Sequence, residues 1–293
     1  MKIGCILVLY NPVEVILRNV IGSIEKQVDK MCIIDNTDIP LDNTFFQRYS
    51  TINLISLNKN IGLAAAQNIG IKYFENLNYD SIIFLDQDSV IPDHLVERMT
   101  NASALLIENK YKVGVVCPNS INRENGKLYK EKYPVLDKFT LTSNGIEYNF
   151  IKVNSCGSSA SLISLENFKN AGLMDAELFI DGVDNEWCWR AKANCNLDSF
   201  VLENACIEHK LGEGDRSIIG FKIAISSPIR IYYQFRNYII LCGRNYVPAV
   251  WKIRNGCLYF IKLLYLPLFI FPRVQYLVNI YKGIRDGFTF KKS

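Results

Sequence analysis

Ser81-Ile82-Ile83-Phe84-Leu85-Asp86-Gln87-Asp88-Ser89 is the stretch on which the reading of this chain turns. A short apolar run bounded by polar residues predicts a buried central strand. This one ends abruptly in two carboxylates, two positions apart. Side chains alternate along a strand, so Asp86 and Asp88 leave its end in the same direction. Such a pair repels unless something positive lies between its members. A divalent cation carrying a diphosphate answers that need, because Mg²⁺ and Mn²⁺ take oxygen ligands from few carboxylates plus phosphate. The competing reading is a strand running into an acidic turn, with Asp88 opening the next helix. The pair alone does not choose between them.

Around that stretch, strand and helix signals alternate through the first ~120 residues, the pattern of a mostly parallel sheet covered by helices. Strands are predicted at Ile3–Leu9, Met31–Ile34, Ile52–Leu57 and Val113–Cys117. Helices are predicted after Pro12, with Val13, Ile16, Leu17, Val20 and Ile24 at helical spacing, then from Leu63 to about Tyr73 and over Leu95–Ile107. Ligands of parallel sheets sit outside the C-terminal strand ends. Here those ends carry Tyr10-Asn11, Asp35-Asn36, Asn58 with Asn60, and Asp86 with Asp88. One polar strand end is ordinary turn chemistry; four on one crevice can serve a base, a ribose and a metal. Neither G-x-G-x-x-G nor G-x-x-x-x-G-K-[ST] occurs, which disfavours a hydride-transfer enzyme or a P-loop NTPase.

Residues 119–150 read as irregular loops over the sheet edge. Strands are expected at Ile151–Asn154 and Ala160–Ser164. The intervening Ser155-Cys156-Gly157-Ser158-Ser159 is either a ligand-approaching backbone turn or a simple hairpin. From Asp184 a helix begins. Asp184 is either its N-cap or a general base placed at a helix N-terminus. His209 ends an apolar run and is either structural or a metal ligand.

The 293 residues carry 33 Lys and Arg against 29 Asp and Glu, a net charge of +4. Residues 228–293 hold eleven of the bases and a single acid, Asp286, for +10; residues 1–227 are left at −6. An acidic body with a basic, aromatic-rich tail points to an anionic surface as partner. The longest apolar run of the tail, Gly256–Phe271, spans 16 residues and is broken by Lys262 and Pro267. A bilayer crossing needs ~20, so an interfacial helix with snorkelling bases is the expectation. Helices packed on the catalytic body are the alternative, and nucleic acid is disfavoured for want of a binding module. The nine cysteines lack metal-ligand spacing and several lie in apolar runs, as small core residues do in a reducing compartment. The apolar start is too short for a secretory signal.

Taken together, several motifs resemble the family 2 inverting glycosyltransferases of GT-A fold, and among them the bacterial rhamnosyltransferases of surface-polysaccharide assembly. They are Leu9-Tyr10-Asn11-Pro12, Ile34-Asp35-Asn36, Asn58 through Gly70, Leu85-Asp86-Gln87-Asp88-Ser89, Phe179 through Arg190, His209-Lys210-Leu211-Gly212, and Pro228 through Asn237. The resemblance implies a GT-A domain over residues 1–227 and a basic, membrane-associating helical extension over 228–293. It implies that Tyr10, Asn11, Asp35, Asn36, Asn60, Gln67 and Asp86 line the nucleotide-sugar cleft, with Asp35 reading the pyrimidine. It implies a divalent metal, Mg²⁺ or Mn²⁺, on Asp88, His209 and Asp86, and Asp184 as catalytic base. Many family members carry an acidic pair just before this helix. Here Val183 occupies the first of those positions, so Asp181 and Glu186 compete for the role. The implied donor is dTDP-β-L-rhamnose and the implied acceptor a lipid-diphosphate-linked saccharide, handled by a peripheral protein at the cytoplasmic membrane face. Alternatives are a UDP-sugar donor, a non-catalytic scaffold subunit, and a nucleotidyltransferase, whose Gly-rich N-terminal loop is missing.

Overall fold

The structure is a computed structural model describing residues 1–122, 134–157, 159–209, 215–218, 221–224 and 226–290. Its centre is a nine-stranded sheet built from β1 (Ile3–Leu9), β2 (Lys30–Asp35), β3 (Ile52–Ser56), β4 (Ser81–Asp86), β5 (Val113–Asn122), β6 (Val135–Ser143), β7 (Ile146–Val153), β8 (Ser161–Ser164) and β9 (Asp198–His209). The order is β3-β2-β1-β4-β8-β5-β9-β7-β6. The first four strands pair parallel, as the alternating strand and helix signals predict. Beyond β4 the sheet is mixed: β8 runs antiparallel to both β4 and β5, and β5 pairs parallel with β9. A short antiparallel pair, β10 (Asp215–Ile218) and β11 (Phe221–Ala224), stands apart.

The pleat of β1 sorts the core into two layers. Cys5, Leu7 and Leu9 face one cluster with α1 (Glu14–Ile24) and α3 (Leu95–Glu108). Ile6 faces the other, with α2 (Leu63–Asn76), α4 (Leu165–Ala171) and α5 (Val183–Cys195). This alternation is what a strand covered on both faces requires. All nine cysteines are free thiols. Burial pushes the Cys32 thiol up to about 12, so it behaves as a small apolar side chain.

Two loop expectations are corrected. The described part of residues 119–150 is not loops over the sheet edge: β5 runs on to Asn122, and β6 and β7 form the edge hairpin, while residues 123–133 lie outside the described residues. Their hairpin turns at Asn144-Gly145, both at positive φ, the conformation a two-residue hairpin needs. The half-polar composition of β6 misled because an edge strand keeps its outer side chains in water. Nor is the Gly/Ser segment after β7 a hairpin turn, since β9 and β5 lie between β7 and β8 in the sheet.

From Pro228 on, the described residues carry three helices, α6 (Pro228–Cys242), α7 (Ala249–Phe269) and α8 (Arg273–Thr289). Helix α6 contributes Ile240 and Leu241 to the second core layer. It also joins α7 and α8 around Ile231, Phe235, Leu266, Ile270, Tyr276 and Ile280. Lys262 does not snorkel outward. Its Nζ donates to Gln234 Oε1 at 2.7 Å on α6, and burial lowers its pKa. Among the described residues no helix is long and apolar enough to cross a membrane.

Helix α8 touches α6 closely through Gly283, where a Cβ would lie 2.5 Å from the Tyr232 carbonyl oxygen. Gly283→Ala is expected to force the helices apart and lower stability by about 1–3 kcal/mol. Gly22 of α1, with nothing within 4 Å of an added Cβ, is the control. Gly22→Ala is expected to stabilise by up to ~1 kcal/mol through helix propensity. Urea unfolding of both variants measures the contrast; equal effects would contradict the packing described.

Candidate active site

The crevice forms where β1, β2, β3 and β4 end. Asp35 is fully buried at the end of β2, and its oxygens accept Thr37 N–H at 3.2 Å and Leu41 N–H at 2.9 Å. It therefore shapes its own turn. Asn36 links two strand ends: its Nδ2 donates to Asn60 Oδ1 at 3.0 Å, and its Oδ1 accepts Ile61 N–H at 2.8 Å. Asn60 Oδ1 also accepts Gly62 N–H at 3.0 Å, pinning the loop that starts α2. Gln67, one turn into α2, is buried, and its Oε1 has no hydrogen-bond partner among the described residues. A buried orphan acceptor is costly unless a ligand or water serves it.

At the end of β1, Tyr10 is 48% exposed and Asn11 sits at φ 46°, with its N–H on Thr37 Oγ1 at 3.1 Å. Gln87, between the two aspartates, reaches back to β1. It accepts Tyr10 N–H at 2.8 Å and donates to Tyr10 O at 3.0 Å. The middle residue of Asp-Gln-Asp thus ties two strand ends together, a role that sequence spacing does not reveal. Asp86 is half-buried and Asp88 exposed; among the described residues Asp88 has no hydrogen-bond or ion-pair partner.

The base candidates lie on the segment leading into α5. At Phe179 the chain makes a positive-φ γ-turn, φ 64° and ψ −63°, with Ile180 N–H on Leu178 O at 2.7 Å. That turn is rare and strained for a bulky residue. Asp181 and Gly182 follow at φ 59° and 89°. The segment touches the start of α2 directly: Ala64 N–H donates to Phe179 O at 3.3 Å, and a Cβ on Gly62 would strike the Phe179 ring at 2.5 Å. Opposite, Tyr233 of α6 stacks on Phe179 with ring centres 4.5 Å apart.

Asp184 is not an N-cap. Gly182 holds that position, and Asp184 is the second residue of α5, half-buried with a buried Oδ1. Its two competitors are occupied. Asp181 forms a two-pronged pair with Arg230, at 3.0 Å to Nε and 2.8 Å to Nη2. Glu186 is fully buried; its Oε1 takes Arg190 Nε at 2.8 Å, Arg244 Nη1 at 3.0 Å and the Tyr246 hydroxyl at 2.5 Å. Burial, then the bond to Glu186, pushes the Tyr246 hydroxyl up to about 12, keeping it a donor. The bond Arg230 donates to Asp181, with the charges of Asp181 and Asp86 adding to it, holds the Arg230 pKa above its ordinary value.

His209 closes β9 opposite Asn122, and its side chain lies outside the described residues. No group of three His, Cys, Asp or Glu among the described residues is set to hold a metal. Two carboxylates at one strand end, one of them exposed and without a partner among the described residues, still suit a cation that binds through one or two carboxylates and completes its shell with phosphate and water. The residues that spacing alone misses are Gln87, Arg230, Asn237, Arg244 and Tyr246. The quoted Pro228-to-Asn237 motif contains two of them.

Similarity to known proteins agrees with this geometry. Residues 5–163 match the sequence profile of glycosyl transferase family 2. The chain is 32% identical over 259 residues to the dTDP-rhamnosyl transferase RfbF of Shigella flexneri, covering 87% of this chain and 84% of that protein. Among solved structures, S. aureus TarS 1–349 superposes with a TM-score of 0.58 at 14% identity, over 98% of this chain and 81% of that one. GalNAc-T7 with UDP, GalNAc and Mn²⁺ superposes with a TM-score of 0.54 at 12% identity, over 90% and 56%. The structural likenesses establish the GT-A fold; the profile and the RfbF identity establish kinship, and the chain belongs to glycosyl transferase family 2 as a glycosyltransferase.

Proposed function

We propose that this glycosyltransferase moves L-rhamnose from dTDP-β-L-rhamnose onto a saccharide carried on a lipid diphosphate, in surface-polysaccharide assembly such as O-antigen or capsule, as a peripheral protein at the cytoplasmic face of the cell membrane. The observation that carries the donor is the 32% identity to a dTDP-rhamnosyl transferase across 87% of the chain. Asp184 is the base in this reading. The oxygens of Asp181 and Glu186 are engaged by arginines and a tyrosine, and Asp184, the position to which the family resemblance points, takes the acceptor's hydroxyl proton. The hydroxyl oxygen then attacks the anomeric carbon from the face opposite the departing dTDP. Its bond to carbon forms as the bond to the diphosphate breaks, so the configuration inverts without a covalent intermediate.

Asp86, Asp88 and His209 would hold Mg²⁺ or Mn²⁺, which supplies charge to offset the diphosphate as it leaves. Asn36 and Asn60 hold the loop bordering the cleft, and the orphan Gln67 Oε1 suits a nucleotide donor group. Tyr10, Asn11 and Asp35 flank the same strand ends.

Asp184→Asn is expected to lower kcat by ~10²-fold or more while leaving donor binding intact, since a lost general base acts on the chemical step. Unchanged turnover would move the base elsewhere. A donor panel, following nucleoside diphosphate release with Mg²⁺ or Mn²⁺ and with chelator, tests the rest. Metal-dependent turnover of dTDP-β-L-rhamnose ahead of UDP-sugars is expected. Preference for a UDP-sugar would overturn the donor, and no turnover of any donor would favour a scaffold subunit.

A further inference from the structure

Helix α7 buries one residue, Leu266, out of 21. Its outward side is a stripe of Val250, Ile253, Phe260, Leu264 and Leu268, all at least half exposed and spaced three, four or seven apart. Helix α8 repeats the pattern with Val274, Leu277, Tyr281 and Phe288, and the last residue of α7 and the turn after it expose Phe269 and Phe271. Of 26 exposed large hydrophobics in the described chain, fourteen fall within residues 249–290. Soluble surfaces scatter such residues singly; a crowded apolar face marks a contact surface.

The charges around this face choose its partner. Arg254, Arg273, Lys282 and Arg285 are exposed on the same two helices or at their junction. The lone acid, Asp286, is occupied by Arg285 at 2.7 Å and by the Tyr232 hydroxyl at 3.0 Å. A second copy docked about a two-fold axis would set this all-cationic rim against itself. An anionic leaflet complements it, with apolar side chains entering the acyl boundary and bases meeting lipid phosphates. Among the described residues no helix is long and apolar enough to span, so the partner surface is met by the exposed side of the hairpin.

We infer that the outward face of the α7–α8 hairpin is a monotopic docking surface for anionic phospholipid, with Phe269 and Phe271 as its leading edge. This deepens the proposed membrane location and specifies its chemistry. Helix α6 makes the placement useful. One side of it packs on α8 at Gly283 and Gly287, and its first turn carries Arg230 onto Asp181. The base segment is thereby held at a set distance from the lipid surface, where a lipid-carried acceptor would be presented.

Flotation of the full-length protein with vesicles tests this. The protein is expected to float with phosphatidylcholine vesicles that contain phosphatidylglycerol and not with phosphatidylcholine alone. Phe269→Ser with Phe271→Ser is expected to lower partitioning roughly tenfold or more, by removing buried apolar area. Arg273→Gln with Lys282→Gln is expected to weaken binding and flatten its salt dependence. Turnover of donor with a water-soluble acceptor should match wild type in both variants. Absence of binding to the anionic vesicles, or binding indifferent to both double variants, would overturn the inference. So would a sedimenting dimer that the phenylalanine variant dissociates, which would assign the face to a second copy. Vesicle binding without turnover of any donor would sink the proposed chemistry and leave the docking surface standing.

Discussion

One buried amide holds the segment leading into α5 in shape. Asn237, on α6, is 2% exposed, and its Nδ2 donates to the carbonyls of Leu178 at 2.8 Å, Ile180 at 2.6 Å and Asp181 at 2.9 Å. An amide nitrogen has two hydrogens, so one is shared between acceptors. Its own oxygen accepts Arg236 Nε at 3.1 Å, and Arg236 Nη2 reaches Glu177 O at 2.5 Å. The backbone so gripped contains Phe179 and Asp181 in left-handed conformations, each costing on the order of 1–3 kcal/mol. Such geometry persists only where its surroundings over-determine it. Stacking of Tyr233 on Phe179 and the contact of Phe179 with Gly62 complete that enclosure.

Charge in the same region is sorted with equal strictness. Glu186 is fully buried and is tolerable only because Arg190, Arg244 and Tyr246 surround it. Arg244 also pairs with Asp175, so one guanidinium braces the chain on both sides of the Phe179 turn. The +10 of residues 228–293 thus has two uses. Arg230, Arg236, Arg244, Lys252 and Lys262 turn toward protein oxygens. Arg254, Arg273, Lys282 and Arg285 remain on the outer surface. A single total of charge hides this division, because direction on a helix is set by packing.

The parallel half of the sheet was legible because burial on both faces leaves continuous apolar runs, such as Ile82–Leu85, between turn residues. Strand β1 falls at Ile3–Leu9 as read, and α2 overruns its expected end by a single turn. The edge hairpin β6–β7 was illegible for the opposite reason. Leu136, Asp137 and Lys138 look like loop residues because one side of an edge strand meets water. The three-residue slip of β9 against β5, between Pro118 and Asn119, likewise has no local signature.

From sequence alone came the alternation of strands and helices, the acidic strand end at Asp86 and Asp88, and the family kinship. These are local patterns or ordered motifs, and each can be read without knowing what lies across the fold. Tertiary structure decided which arginines engage the acids near α5, since Arg230 lies 49 positions from Asp181 and Arg244 lies 58 from Glu186. It also decided that α6 packs into the second core layer while α7 and α8 turn an apolar face outward. Partners so distant in the chain meet only when the core closes, and no spacing rule along the sequence anticipates that meeting.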